Sequence, residues 1–106
     1  MKIIILRTKE EKAKGLQGVK HLSPNTFLIF KDMGPGSVFH TKNCYINIDI
    51  IPVDAQGRIL SIITAKPNQI NIGPMPLGTK HVIETKGGWA KKNKINTGKN
   101  LLYLFG

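Results

Sequence analysis

Apolar side chains along this chain fall into short runs separated by turn-forming residues, a pattern typical of a protein built from short β-strands. Residues 2–7 include a run of isoleucine and leucine, and residues 26–30 are apolar on both faces, as in a central strand. The longest predicted strand covers residues 44–53, and a turn at residues 54–57 leads into a returning strand over residues 58–65. Shorter strands are predicted at residues 38–39, 69–72, 80–85 and 101–105.

A short helix is predicted between the first two strands. Thr8 and Glu11 have the spacing of a capping box, and Gly15 is placed to end the helix in a left-handed conformation. One further helical turn is expected at residues 89–93. Seven or eight short strands with one short N-terminal helix predict a mainly β fold, either a jelly-roll-like sandwich or a partly closed barrel. We expect a single domain over residues 1–106.

The chain is strongly basic, with a formal net charge of +10, and 14 of its 16 cationic side chains are lysine. Such a charge favours polyanion binding. It is also what AT-rich codons produce, and a dedicated phosphate-binding surface more often uses arginine. Cys44 is the single cysteine, so no internal disulfide can form, and no apolar run is long enough for a membrane span. We therefore expect a cytoplasmic protein without membrane association.

Six segments of the chain resemble the domain-of-unknown-function 192 family, in the order and spacing of that family. In the strongest match, Lys42, Asn43 and Asp49 occupy positions where the family has the same residues. Residues 53–59 resemble the family's hairpin, Ile-Asp-x-x-Gly-Arg-Val. The other matches are residues 8–16, 27–30 and 82–84, together with Ala65, Pro67, Gly88, Ala90, Ile95 and Gly98. The resemblance implies a jelly-roll-like β structure with a small helix, and it implies no particular activity.

Some positions depart from the family pattern. His40 stands where the family has tryptophan, and Cys44 stands where it has threonine. The remaining departures are Thr41 for methionine, Asn47 for proline, Lys94 for glycine and Lys99 for aspartate. If the family site uses those side chains, this chain has diverged from it.

A polar cluster at the longest predicted strand is the first candidate site. Strand alternation places Cys44 with three isoleucines on the core face and Asp49 on the opposite, wetter face. The cluster predicts a small polar pocket for a sugar or an anionic ligand. Its members are His40, Lys42, Asn43 and Asp49. The simpler alternative is a structural ion pair between Lys42 and Asp49, with Asn43 binding loop amides.

The second candidate site surrounds the only tryptophan. Lys86, Lys91 and Lys92 flank Trp89, and aromatic residues among cations are typical of surfaces that stack nucleic-acid bases. The simpler alternative is that Trp89 anchors a surface turn onto the sheet while the lysines remain solvated.

The sequence contains no convincing catalytic or metal-binding set. In an extended strand His40 and Cys44 would lie ~13 Å apart, at ~3.3 Å per residue. That is too far for a nucleophile and its base unless the chain bends between them. The three histidines share no close ligand spacing, so no metal or cofactor is predicted.

Three functional hypotheses follow, in order of preference. The first is a non-enzymatic β module that binds a small polar ligand or a protein partner. The second is a nucleic-acid-associated basic protein, of the kind that a phage encodes, although any protein with this charge binds nucleic acid weakly at low salt. The third and weakest is an enzyme.

Overall fold

A computed structural model describes residues 1–101 and 104, which contain one five-stranded mixed sheet. The strands are β1 (Lys2–Leu6), β2 (Thr26–Phe30), β3 (Ile48–Val53), β4 (Ile63–Ala65) and β5 (His81–Lys86). Their order across the sheet is β1-β2-β5-β3-β4. The β1–β2 pair is parallel and the other pairs are antiparallel. The mainly β fold predicted from the sequence is therefore confirmed.

Two short helices accompany the sheet, α1 (Lys9–Lys14) and α2 (Trp89–Lys92). The predicted capping box at α1 is present, since the Glu11 amide donates to Thr8 Oγ1 at 3.1 Å and the Thr8 amide donates to Glu11 Oε1 at 2.9 Å. Gly15 ends this helix as predicted, but its φ of +46° and ψ of −121° are not those of the predicted left-handed cap. The predicted second helical turn is confirmed as α2.

The sheet is buried on both sides. On one side, which we call the α1 side, the strands contribute Leu28, Phe30, Ile48, Ile50 and Val82 to a core that also contains Leu16. On the other, which we call the α2 side, they contribute Phe27, Ile29, Ile51, Val53 and Ile83 to a core that also contains Trp89, Leu101 and Leu104. Every residue of β2 and β3 is buried as a result.

Two predicted strands are shorter than the sequence indicated. Residues 44–53 were expected to be extended throughout, but β3 begins only at Ile48. Asn43 has a φ of +62°, and the Cys44 amide donates to the Thr41 carbonyl at 3.0 Å, so the chain turns before the strand. The returning strand is regular only in β4. Residues 58–60 meet the end of β3 in a single bridge between Val53 and Ile59, where the Leu60 amide donates to the Pro52 carbonyl at 2.9 Å.

The predicted seven or eight strands, and hence the jelly roll or barrel, are not confirmed. Residues 38–39 and 69–72 form a single bridge between Phe39 and Ile72, because Pro74 and Pro76 follow directly and cannot donate to a sheet ladder. Among the described residues the sheet remains open. The predicted closing strand, residues 101–105, lies mostly outside them.

Candidate ligand site

A cavity of about 210 Å³ opens on the α1 side, between the end of α1 and the segment before β3. Its floor lies against β2 and β5. The apolar walls are Leu16, Phe30, Met33, Val38 and Phe39. The polar side chains that reach it are Lys12, Lys14, Gln17, His40, Cys44 and Glu84. The site therefore combines an apolar wall with a small number of polar groups, as ligand pockets commonly do.

Glu84 is the buried acid of this cavity. It lies on β5 between Leu28 of β2 and Ile50 of β3, and it is only 3% exposed. No hydrogen bond or ion pair to its carboxyl is found among the described residues. Burial raises the pKa of the Glu84 carboxyl to about 8. At neutral pH the group is therefore mostly a neutral acid that can donate its O–H.

Cys44 lines the same cavity and is buried, which confirms the prediction that it points into the core. Its Sγ lies 3.9 Å from the Lys42 carbonyl, where the thiol is a weak donor. Burial, and next the negative charge of Glu84, raise the pKa of this thiol. A thiol in this environment is a poor nucleophile at neutral pH, because only the thiolate attacks.

His40 lies at the rim of the cavity and is exposed. Its Nδ1 accepts a hydrogen bond from the Lys42 amide at 3.1 Å. In the neutral imidazole the proton must then sit on Nε2, which leaves a donor free to face a ligand.

Beside His40, the ring of Phe39 packs edge-on against Phe30, with centroids 5.2 Å apart, and this contact fixes the apolar wall.

Asp49 lies on the opposite side of the sheet from this cavity, and its side chain is fully buried. The carboxylate accepts hydrogen bonds from Thr64 Oγ1 at 2.8 Å, the Gly88 amide at 3.0 Å and the Ala90 amide at 2.9 Å. The expectation that Asp49 faces a wetter surface is therefore wrong, because α2 covers it. What the carboxylate does here is hold the start of α2 against β3.

The structure does not bring the four predicted site residues together. Lys42 and Asn43 lie in the exposed turn before β3, where the Asn43 amide donates to Asn68 Oδ1 at 3.0 Å. Only His40 of the four reaches the cavity. The predicted ion pair between Lys42 and Asp49 is not among the described contacts, which contain one ion pair, between Lys80 and Asp32 on the surface.

Glu84 is the residue that sequence reasoning missed. Its signal was an acid within a predicted strand, directly after the two apolar residues Val82 and Ile83. Such an acid must be paired, exposed or neutral. Sequence alone does not distinguish these three cases, because the pairing depends on which segments fold over β5.

The comparisons with known proteins identify a family. A model of the domain-of-unknown-function 192 (DUF192) family, described as an uncharacterized ACR, matches residues 1–103. The chain belongs to the DUF192 family. No curated protein matches it.

Two solved structures resemble this DUF192 chain. A protein of unknown function from Novosphingobium aromaticivorans DSM 12444 has 30% identity and a TM-score of 0.85, and the match covers 92% of this chain and 71% of that one. A protein from Sinorhizobium meliloti 1021, described as a "putative transcription regulator", has 21% identity and a TM-score of 0.84. That match covers 92% of this chain and 78% of the other, and at this identity it shows a shared fold.

The second predicted site, around Trp89, has its aromatic ring in the core. Trp89 is 8% exposed and packs edge-on against Phe27, with centroids 5.1 Å apart. Lys86, Lys91 and Lys92 are exposed. A base cannot stack on a ring in this position, so the lysines are the accessible part of this segment in the DUF192 chain.

Metal-binding clusters and membrane-spanning helices are both absent from residues 1–101 and 104. No group of three or more His, Cys, Asp or Glu side chains is arranged there to hold a metal ion. Neither helix in that part of the chain has the length and apolar character needed to cross a membrane.

Proposed function

We propose that this DUF192 chain is a non-enzymatic module that binds a small polar ligand in the cavity above Glu84. The observation that carries the proposal is a buried carboxyl, without a partner among the described residues, that lines an open cavity. The Glu84 carboxyl is open to the cavity, because Thr85 Oγ1 is the one fully buried side-chain oxygen or nitrogen without a partner among the described residues. A ligand in the cavity can therefore reach the carboxyl, and one hydrogen bond to it contributes about 0.5–1.5 kcal/mol to binding.

The chemistry of the cavity favours binding over catalysis. Burial makes the Cys44 thiol a poor nucleophile by raising its pKa, and the Nδ1 of His40 is occupied by the Lys42 amide. A Cys-His pair therefore lacks both an activated nucleophile and a freely oriented base. We further propose that residues 1–106 act as one domain in the cytoplasm, where a lone cysteine stays reduced.

A protein partner that binds at the surface around the cavity is compatible with the first proposal. A nucleic-acid-associated role is the second candidate function. The observation that favours nucleic acid is the net charge of +10 together with exposed lysines on and beside α2. The description of the Sinorhizobium meliloti protein points the same way, but the likeness supports the fold alone. We rank this role second because Trp89, the proposed stacking residue, lies in the core.

Protein-observed NMR with small aromatic probes tests the first proposal. The probes are benzamide, benzyl alcohol, benzoate and benzylamine, which share one ring and differ in their polar group. We expect at least one of them to shift the amide signals of Phe39, Cys44 and Glu84 in a saturable way. Saturation without shifts at these three residues would place the binding elsewhere and contradict the proposal.

A matched pair of variants then locates the binding. Ala13→Leu puts a larger side chain into the lining of the cavity, whereas Ala55→Leu makes the same change at an exposed turn that lines a second, separate cavity. The first should weaken binding at least tenfold and the second should leave it unchanged. Absence of binding by all four probes, or equal binding by both variants, would contradict the proposed function.

A further inference from the structure

Building on the proposed function, we infer that the cavity selects a small anion with an apolar body and with a hydrogen-bond acceptor at its inner end. The acceptor would meet Glu84, the body would lie between the aromatic walls, and the anionic group would face the rim. The inference rests on the placement of the polar groups that line the cavity.

The rim of the cavity carries positive charge and hydrogen-bond donors. Lys12 and Lys14 approach it from α1, and His40 approaches from the opposite segment. His40 offers Nε2–H, because its Nδ1 already accepts from the Lys42 amide. The side-chain amide of Gln17 is already engaged, because its Nε2 donates to the Ala13 carbonyl at 2.9 Å. An anionic group is the natural partner for two ammonium groups and an imidazole N–H.

The inner end of the cavity also presents donors. The Glu84 carboxyl is mostly protonated at neutral pH because burial raises its pKa to about 8. The groups that face it from the neighbouring strands are Leu28 and Ile50, which are apolar. Among the described residues that line the cavity, the other buried titratable side chain is that of Cys44, whose thiol is a weak donor. An acceptor such as a carbonyl oxygen therefore suits this end.

The size and walls of the cavity fit a body of about one aromatic ring. Its volume is about 210 Å³, whereas a dry engineered cavity of about 150 Å³ already binds benzene. Phe30 and Phe39 stand edge-on to each other at the wall, and Met33 adds an adaptable side chain. Together they can hold a flat apolar group by close contact.

A cationic ligand fits this arrangement poorly. It would need an ionised Glu84, which costs the free energy of charging a buried acid. It would also have to pass Lys12 and Lys14, against the field of a protein that carries a net charge of +10. An anion avoids the cost of ionising Glu84 and is attracted by the positive field at the rim.

Isothermal titration with three para-substituted rings tests the inference. The reference probe is 4-acetylbenzoate, which carries an acceptor at one end and an anion at the other. In 4-isopropylbenzoate the acceptor is replaced by a group of similar shape, and in 4-acetylbenzylamine the anion is replaced by a cation. We expect the first change to weaken binding about fivefold, as for one lost hydrogen bond, and the second to weaken it at least tenfold.

The pH dependence separates a donating Glu84 from a merely nearby one. Affinity for 4-acetylbenzoate should fall as pH rises through about 8, approaching tenfold per unit, because ionised Glu84 no longer donates and repels the ligand. Glu84→Gln keeps a donor that does not titrate, so its affinity should not change over this range. Cys44→Ala removes a weak donor and should lower the affinity, but the affinity should still fall through about pH 8, which excludes the thiol as the source of the pH dependence.

The rim is tested by a matched pair of lysine variants. Lys14→Gln, at the cavity, should weaken 4-acetylbenzoate binding severalfold and reduce its salt dependence. Lys91→Gln, at an exposed position on α2 and so on the opposite side of the sheet, should not. Tightest binding by 4-acetylbenzylamine, or a wild-type profile that is flat through pH 8, would overturn the inference while leaving the proposed function intact. Failure of every probe to bind in the cavity would instead defeat the proposed function.

Discussion

Among the described residues, two side-chain carboxyl groups are buried, on opposite sides of the same sheet. Asp49 of β3 is 0% exposed and Glu84 of β5 is 3% exposed, and the two residues are one step apart in register. Asp49 accepts three hydrogen bonds, whereas the carboxyl of Glu84 has no partner among the described residues. Burial is therefore equal and only the set of partners differs. The partners, more than the burial, separate a structural acid from a candidate for binding.

The Asp49 side of the sheet is built to supply donors. Gly87 approaches β3 so closely that a Cβ there would lie 2.5 Å from the Cβ of Asn47. This approach is secured by the Gly87 amide, which donates to the Asn47 carbonyl at 2.8 Å. It brings the amides of Gly88 and Ala90 within reach of the carboxylate. No equivalent approach occurs above Glu84, where the described segments leave a cavity.

The largest expected effect comes from removing the charge at the satisfied acid. Asp49→Asn replaces an acceptor-only group by one whose NH₂ must face backbone amides, so we expect a loss of about 2–4 kcal/mol in the free energy of unfolding. Urea denaturation at neutral pH measures it. Asp54→Asn is the matched control, because Asp54 also accepts two amides but lies in a partly exposed turn. Equal losses for the two variants would show that the Asp49 contacts are not special.

The next effect concerns the unsatisfied acid and depends on pH. An unfolded glutamate loses its proton near pH 4.5, whereas folded Glu84 keeps it to about 8. Between these values the folded state binds the extra proton, so its stability falls as pH rises, by up to about 1.4 kcal/mol per unit, and levels off above about pH 8. Glu84→Gln lacks this slope and should therefore gain stability relative to wild type as pH rises.

The quantity to measure is the difference in the free energy of unfolding between wild type and Glu84→Gln, by urea denaturation from about pH 5 to about pH 9. His81, whose pKa is lowered mainly by burial, contributes a slope of the opposite sign, and it is common to both proteins. The difference therefore isolates Glu84 up to about pH 8, where the Cys44 thiol, whose pKa the charge of Glu84 also raises, stays protonated. A constant difference across this range would mean that Glu84 ionises in the folded protein as readily as in the unfolded chain, and the contrast with Asp49 would then disappear.

The local features of the fold could be predicted from the sequence, and the contacts between distant segments could not. Thr8, Glu11 and Gly15 act within one helix, so their pattern predicted α1, its capping box and the residue at which it ends. The strand at residues 26–30 was predicted because its apolar run is long enough to be unambiguous. The prediction that the longest strand begins at residue 44 was wrong, because the chain turns at Asn43. The Asn43 amide donates there to the side chain of Asn68, which is 25 residues away.

The candidate site shows the same limit. Alternation along the strand correctly separated Cys44 from Asp49, but it assigned Asp49 to a wet face because α2, 40 residues further along, was not known to cover it. Glu84 was overlooked because its surroundings, too, are formed by distant segments. Whether its carboxyl has a partner depends on three parts of the chain that meet at the cavity. His40 was predicted as a site residue and does lie at the cavity, yet with neighbours other than the predicted ones.

The smallest expected effect concerns the lysines around α2, which lie on the side of the sheet that we assign to structure. Asp49 holds the start of α2, Trp89 fills the core beneath it, and Lys91 and Lys92 are left as a solvated surface. If these lysines formed a nucleic-acid site, both sides of the sheet would be functional and the contrast between the two acids would lose its meaning. We expect their contribution to be that of any exposed lysine.

Fluorescence anisotropy with mixed-sequence single strands measures this. A protein of charge +10 binds such strands at low salt, and we expect binding to vanish by about physiological ionic strength, because it rests on counterion release without base stacking. Replacing Lys86, Lys91 and Lys92 by glutamine should weaken low-salt binding only as much as replacing Lys9, Lys20 and Lys66, which are equally exposed and lie elsewhere. Micromolar binding that survives physiological salt and is lost only in the first triple variant would make nucleic-acid association the leading function.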